Sequence, residues 1–222
     1  MPSVCQVYRD VLYEQLARLI KAMAHPKRLM MLDLLVQAPR TVEVLADRVA
    51  MSVAGASQHL QVLRAARLVE AEKNGLYVTY RLADETVYTL LQDLRLVAQR
   101  RLAEVEQLRR QVADESEHLG RLTAADVAAC LRAGEAVVLD VRPAEEYQAG
   151  HLPGAVPMPL DELEHRLAEL PKDRPIVAYC RGAYCLMARQ AVDLLQRHGY
   201  DARYVEEGLR ELEAAGIAIE TV

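Results

Sequence analysis

The chain has 222 residues, 52% of them hydrophobic and 27% charged, with a formal net charge of −5 at pH 7. That length suits one large domain or two of roughly 100 residues, and the composition excludes a disordered or low-complexity chain. No run of about 18 apolar residues offers a membrane span, and the N-terminus has no basic segment followed by an apolar core, so no secretory signal is expected. Phe and Trp are absent while Tyr occurs ten times, so the core must be aliphatic. Four cysteines are too few for a disulfide scaffold, and a cytoplasmic location with reactive or buried thiols is expected. Charge is uneven: residues 1–81 hold 11 Lys and Arg against 7 Asp and Glu, whereas the remainder is acidic.

The first 82 residues predict helices followed by a hairpin. Val7, Val11, Leu12, Leu16, Leu19, Ile20 and Met23 recur at helical spacing. His25-Pro26 interrupts them, and Pro suits the first turn of a new helix through Leu29, Leu32 and Leu35. Thr41 caps a short helix with Val44, Leu45 and Val49 inward. Ser52 caps another with Val53, Ala56, Leu60 and Leu63 inward. Residues 68–73 and 76–82 read as strands joined by Asn74-Gly75, a turn pair that tolerates positive φ.

Two short capped helices and a hairpin predict a helix-turn-helix with a wing. On the second helix Ser57, Gln58, Gln61 and Arg64 project to one side or its flank. Gln and Ser can bond base edges and Arg64 can reach phosphate. Lys73, Asn74, Tyr77 and Arg81 of the hairpin could touch backbone or minor groove, although each of these residues reads equally well as solvated surface.

From Asp84 to about Ala113 there is no Gly or Pro, and Val87, Leu91, Leu94, Ala98, Leu102, Val105, Leu108 and Val112 fall three or four apart. The spacing predicts one helix about 45 Å long, whose apolar stripe one small domain cannot cover, so that a second chain is expected to cover it, with packing of its later half on the second domain as the alternative. The polar run from Asp114 predicts a linker over 114–121. Beyond it, strand candidates at 136–140, 176–180 and 202–205 alternate with helices near 124–132, 144–149, 160–169, 187–198 and 207–215, which predicts a parallel sheet flanked by helices.

His25-Pro26-Lys27-Arg28-Leu29, Ser57-Gln58-His59-Leu60-Gln61-Val62-Leu63-Arg64, Leu68-Val69 and Tyr80-Arg81-Leu82 resemble the ArsR/SmtB winged-helix repressors over about residues 10–112. The resemblance implies an α+β winged helix-turn-helix domain, here 1–113, that binds double-stranded operator DNA as a homodimer, with His59 among the DNA-reading residues. Relatives in that family often sense metals. Residues 41–50 hold no Cys or His and residues 84–113 hold no His, so no metal site and no cofactor is expected.

Cys180 ends an apolar strand shortly before a helix begins, where backbone N–H groups and the positive end of a helix favour thiolate and anions. Gly182 allows a tight turn and Arg181 adds positive charge. Cys130, on an apolar helix face, reads as an inert core thiol. Asp140-Val141-Arg142, Glu146-Tyr147, Gly150-His151-Leu152-Pro153-Gly154-Ala155 and Tyr179-Cys180-Arg181-Gly182 resemble the rhodanese domain over about 122–220. The resemblance implies an α/β domain, 122–222, in which Cys180 is the nucleophile and carries a persulfide. It also implies that Asp140 and Arg142 organise the pocket, though they read equally as a structural ion pair. Arg181, Gly182, Ala183, Tyr184 and Cys185 would form the anion-cradling loop, with thiosulfate or polysulfide as sulfur donor. Related phosphatases place Arg six positions after the nucleophile. Leu186 stands there, which argues against phosphate-ester hydrolysis.

The combined expectation is a repressor that couples sulfane sulfur to promoter occupancy. A sulfurtransferase merely targeted by the DNA-binding half, and a Cys180–Cys185 disulfide switch without turnover, remain open beside it. Of the two sulfurs, Cys180 is expected to be the more thiolate-like.

Overall fold

The computed structural model describes residues 3–75 and 77–222, so Leu76 of the hairpin and the side chain of Asn74 lie outside the described residues. The chain forms two compact units, residues 1–101 and 102–222. Among the described residues no helix is long and apolar enough to cross a membrane.

The first unit contains α1 (Val4–Met23), α2 (Pro26–Gln37), β1 (Arg40–Thr41), α3 (Val42–Arg48), α4 (Val53–Ala65), β2 (Val69–Asn74), β3 (Tyr77–Leu82) and α5 (Glu85–Arg101). The helix starts follow their capping chemistry. Ser3, Thr41 and Ser52 accept the N–H of Gln6, Val44 and Gly55, and His25 Nδ1 accepts that of Lys27 ahead of Pro26. The hairpin pairs antiparallel from Val69 opposite Leu82 to Asn74 opposite Tyr77, and β1 adds to the other edge of β3. Met31, Leu32, Leu45, Ala56, Leu60 and Leu63 fill the core with no measurable exposure. Two residues expected inside, Val44 and Val53, are exposed, because each sits at the start of its helix before the packed face begins.

The single helix expected over 84–113 is two helices. α5 stops at Arg101, Leu102 is extended (φ −107°, ψ 109°), and α6 (Ala103–Glu115) starts without a side-chain cap. No Gly or Pro marks the break. It falls where the two compact units divide, so the stripes before and after it belong to different units. Residues 114–121 are not a free linker either. Ser116 closes α6 with its hydroxyl on the Val112 carbonyl (2.6 Å), and a 3-10 turn at Glu117–Leu119 buries Leu119 in the second core.

The second unit continues with β4 (Arg121–Leu122), α7 (Ala124–Ala133), β5 (Val137–Asp140), α8 (Ala144–Ala149), β6 (Val156–Pro157), α9 (Leu160–Arg166), β7 (Ile176–Tyr179), α10 (Met187–Arg197), β8 (Ala202–Val205) and α11 (Leu209–Ala214). Its five strands are parallel in the order β4-β8-β7-β5-β6. Strand alternation sorts the core into two layers. Val138, Val177, Tyr179 and Val205 pack with α7 and α11, whereas Leu139, Ile176, Ala178, Cys180 and Tyr204 pack with α9 and α10. The chain leaves β5 toward β6 on one side and leaves β7 toward β8 on the other. The carboxyl ends of β5 and β7 therefore flank a topological switch point, the place where open α/β sheets form sites.

A buried ionic network fixes these strand ends. Arg142 donates through Nε and Nη2 to Asp140 (2.9 and 2.6 Å) and through Nη2 to the Gly150 carbonyl (2.6 Å). The Tyr179 hydroxyl donates to Asp140 Oδ2 (2.6 Å) and accepts the Leu152 N–H (3.1 Å). Burial alone would lower the Arg142 pKa, but the hydrogen bond and charge of Asp140 outweigh it and hold the guanidinium above its ordinary value. Burial raises the Tyr179 phenol, and the Asp140 carboxylate adds to the rise. Removing one member of such a pair strands the other without water. Arg142→Ala should therefore destabilise the fold by about 3–5 kcal/mol, read by urea unfolding with far-UV circular dichroism. Arg166→Ala, at an exposed pair with Glu162 and Glu169, should leave the midpoint unchanged.

Candidate nucleic-acid interface and thiol loop

In the first unit α4 follows α3 through a turn in which Ala50 takes a left-handed conformation (φ 51°). Ala56, Leu60 and Leu63 anchor one face of α4, which leaves Gln58, Gln61 and Arg64 exposed and Ser57 half-buried. Lys73 and Tyr77 are exposed near the hairpin tip. Arg81 pairs with Glu70 directly across the hairpin, and both side chains remain exposed.

The half-buried His59 also makes contacts within the unit. Its ring lies 4.3 Å from that of His25, and its Nδ1 is 3.5 Å from an Arg28 guanidinium nitrogen. Burial, then the nearby His25 and Arg28, push its pKa down. These contacts seat α4 against the start of α2. The same His25-Pro26-Lys27-Arg28 segment closes two other helices. Arg28 donates to the carbonyls of Ala22 (2.5 Å) and Lys21 (3.0 Å) at the end of α1, and Lys27 donates to that of Val49 after α3. That bonding accounts physically for the segment.

In the second unit, β7 delivers Cys180 to the end of the sheet at 1% exposure, and the chain loops through 181–186 before α10 begins. Gly182 has φ 111°, a conformation that suits glycine alone. Gly208, which precedes α11, abuts this loop so closely that a Cβ would lie 2.5 Å from the Arg181 carbonyl oxygen. A side chain at either glycine would push the loop off the strand end.

Arg181 does not extend into the loop as a free cation. It grips Glu146, which is fully buried, through Nε (2.9 Å) and Nη2 (2.6 Å). Asp140 and Arg142 lie on the sheet face opposite Cys180, where Asp140 bonds Tyr179. They are a structural ion pair that fixes the strand end, not a wall around the sulfur. Ala183, Tyr184 and Leu186 are exposed on the outer side of the loop, where they share a groove of about 510 Å³ with Val105, Leu108 and Val112 of α6.

The loop brings the two cysteines together, with the Cys180 thiol donating to the Cys185 carbonyl oxygen (3.6 Å). The neighbouring Cys180, the N–H groups of Met187 and Arg181 and the Arg181 charge outweigh burial and bring the Cys185 pKa down to about 6. The neighbouring Cys185 and burial push the Cys180 thiol up. All four cysteines are free. Among the described residues no group of three or more His, Cys, Asp or Glu is placed to hold a metal.

If the exposed face of α4 reads bases, Gln58→Ala should reduce discrimination between a selected duplex and random duplex by about 1–3 kcal/mol. Lys73→Ala should weaken both equally and flatten the salt dependence. Fluorescence anisotropy at several salt concentrations distinguishes them.

The Rhodanese-like domain family matches residues 123–215 and a Helix-turn-helix domain family matches residues 23–72. The HTH-type transcriptional regulator Rv0324 of Mycobacterium tuberculosis is 43% identical over 212 residues, covering 96% of this chain and 93% of that protein. A tRNA sulfurtransferase of Desulfurococcus amylolyticus is 34% identical over 83 residues, 36% of this chain and 16% of that protein. Among solved structures, the homodimeric winged helix-turn-helix DNA-binding domain Mb0332 of Mycobacterium bovis is 40% identical with a TM-score of 0.41, covering 42% of this chain and 87% of that one. The chain belongs to the ArsR-type winged helix-turn-helix transcriptional regulators that carry a C-terminal rhodanese domain.

Proposed function

We propose that this regulator is a homodimeric repressor whose thiol loop takes up sulfane sulfur on the Cys180–Cys185 pair and thereby releases operator DNA. The observation that carries the reading is the placement of two cysteines, the Cys180 sulfur 3.6 Å from the Cys185 carbonyl oxygen, beneath a glycine-shaped loop at the sheet's switch point. A buried inert thiol would need neither the neighbouring amides nor a partner sulfur. The tRNA sulfurtransferase among the relatives of this half agrees with sulfur chemistry.

Dimerisation is supported by two unpartnered apolar faces in the first unit. Val7, Tyr8, Val11, Leu12, Leu16 and Ile20 of α1 are 40–67% exposed. On α5, Leu90, Leu94 and Val97 are 39–57% exposed. Burying several such side chains contributes about 1.5–3 kcal/mol each, and a twofold dimer matches a pseudo-palindromic operator. A route from sulfur to DNA is supported by the position of the loop. Tyr184 and Leu186 face α6, and α6 is joined to α5 through the single extended residue Leu102. A cytoplasmic location follows from this role.

The test uses the full chain and a duplex selected from a random pool. Sodium tetrasulfide should weaken binding at least about tenfold, equivalent to about 1.4 kcal/mol, and the Cys180→Ser/Cys185→Ser double variant should bind normally without responding. A double variant that still releases DNA would refute the thiol loop as the sensor.

A further inference from the structure

The groove beside the thiol loop has a lining that sulfur chemistry does not use. We infer that it is a binding site for a small organic anion with an aliphatic body, a medium-chain carboxylate in its simplest form. The site lies wholly within the second unit and stands whether or not the loop takes up sulfur.

Part of the lining is aliphatic. Val105, Leu108 and Val112 recur three and four residues apart on α6 and so share a face, and Leu186 of the loop lines the same groove. Leu108 is 62% and Leu186 43% exposed. An inorganic anion such as thiosulfate would leave that apolar surface in water. At about 510 Å³ the groove has the size of a small-molecule site.

The rest of the lining is cationic, in a half of the chain that is acidic overall. Glu106 is divided between Arg109 and Arg110 (3.5 and 2.9 Å), and Glu206 between Arg121 and Arg189 (2.6 and 3.3 Å). Four guanidinium groups thus share two carboxylates. Glu207 adds to the negative charge felt by Arg121, and the groove still keeps a positive excess. Arg189 is the most buried of the four, at 7% exposure in the first turn of α10. Its guanidinium carbon lies 4.8 Å from the centroid of the Tyr204 ring, and its Nε has no hydrogen-bond partner among the described residues. A buried guanidinium held by one long bond to a shared carboxylate is short of acceptors. A ligand carboxylate suits it, because two oxygens match the guanidinium fork, and a hydrocarbon chain behind that carboxylate covers the α6 face. A purely apolar ligand would leave the arginines unanswered, and a bare anion would leave the leucines. The two features together select a ligand that carries both.

The experiment titrates the full-length protein with sodium octanoate by isothermal calorimetry, with octanol as the neutral comparison and sodium acetate as the short one. Octanoate should bind saturably, and octanol and acetate should each bind at least about tenfold more weakly. Leu108→Glu, at an exposed position of α6, and Arg189→Gln should each weaken octanoate binding at least about tenfold. Arg121→Gln removes one exposed cation and touches no buried group. It should weaken binding by a factor of about three, which keeps the cationic side testable if Arg189→Gln does not fold. Hydrogen–deuterium exchange should show octanoate protecting α6 and residues 183–187. Absence of saturable binding, equal affinity for octanol or acetate, or unchanged affinity in Leu108→Glu and the arginine variants overturns the assignment. So does protection confined to the exposed apolar faces of α1 or α5.

Discussion

The bidentate pair between Asp140 and Arg142 determines where two parallel strands end, and the thiol loop inherits its geometry from that. Both side chains have left water almost completely, so the pair persists only because Tyr179, the Gly150 carbonyl and the Arg142 N–H satisfy the remaining valences. Tyr179 is thereby pinned on one face of the sheet. Strand alternation then obliges Cys180, its successor, to face the other. Arg181 points back to Glu146. Three consecutive residues are fixed in direction before the loop begins, and with Gly182 and Gly208 yielding space, the chain curls so that Cys185 meets Cys180.

Much of this was legible from local chemistry. The Ser52 cap, the apolar run of β7 and the small residue in the loop each act over a few positions, and each element formed where its signal stood. The hairpin formed too, but with Asn74 inside the β2 strand and paired with Tyr77. Hidden features depend on partners distant in the chain. Arg181 and Glu146 are 35 positions apart, Arg28 and His59 are 31 apart, and nothing local says that these pairs meet. The contacts of His59 with His25 and Arg28 at the start of α2 therefore left no signal in the sequence. The break at Leu102 carries no Gly or Pro, because it reflects which unit each half of the stripe serves, not propensity. The residues around Ser116 looked like a linker because their composition is polar, although Leu119 among them is a core residue.

The thiol assignment shows the same limit in a sharper form. Position at a strand end argued for a thiolate at Cys180, since loop amides and a helix start lie nearby. The amides of Gly182 and Ala188 do favour charge there. What position could not reveal is that Cys185 folds back onto Cys180, its carbonyl oxygen 3.6 Å from the Cys180 sulfur, and that this neighbour, ahead of burial, raises the Cys180 pKa. The regulator's two candidate sites also differ in kind: the proposed DNA-reading surface is a set of exposed polar side chains on one helix, whereas the thiol site is two cysteines brought together beneath a loop.

Ionisation of this cysteine pair can be counted directly. Thiolate absorbs near the far-ultraviolet edge where thiol does not, so a pH titration of the full chain, with the Cys180→Ser/Cys185→Ser double variant subtracted, reports ionisation of this pair alone. One thiolate should form with a midpoint near pH 6 and remain the only one through neutral pH. Titration of the pair only at the alkaline pH of ordinary thiols would contradict the account.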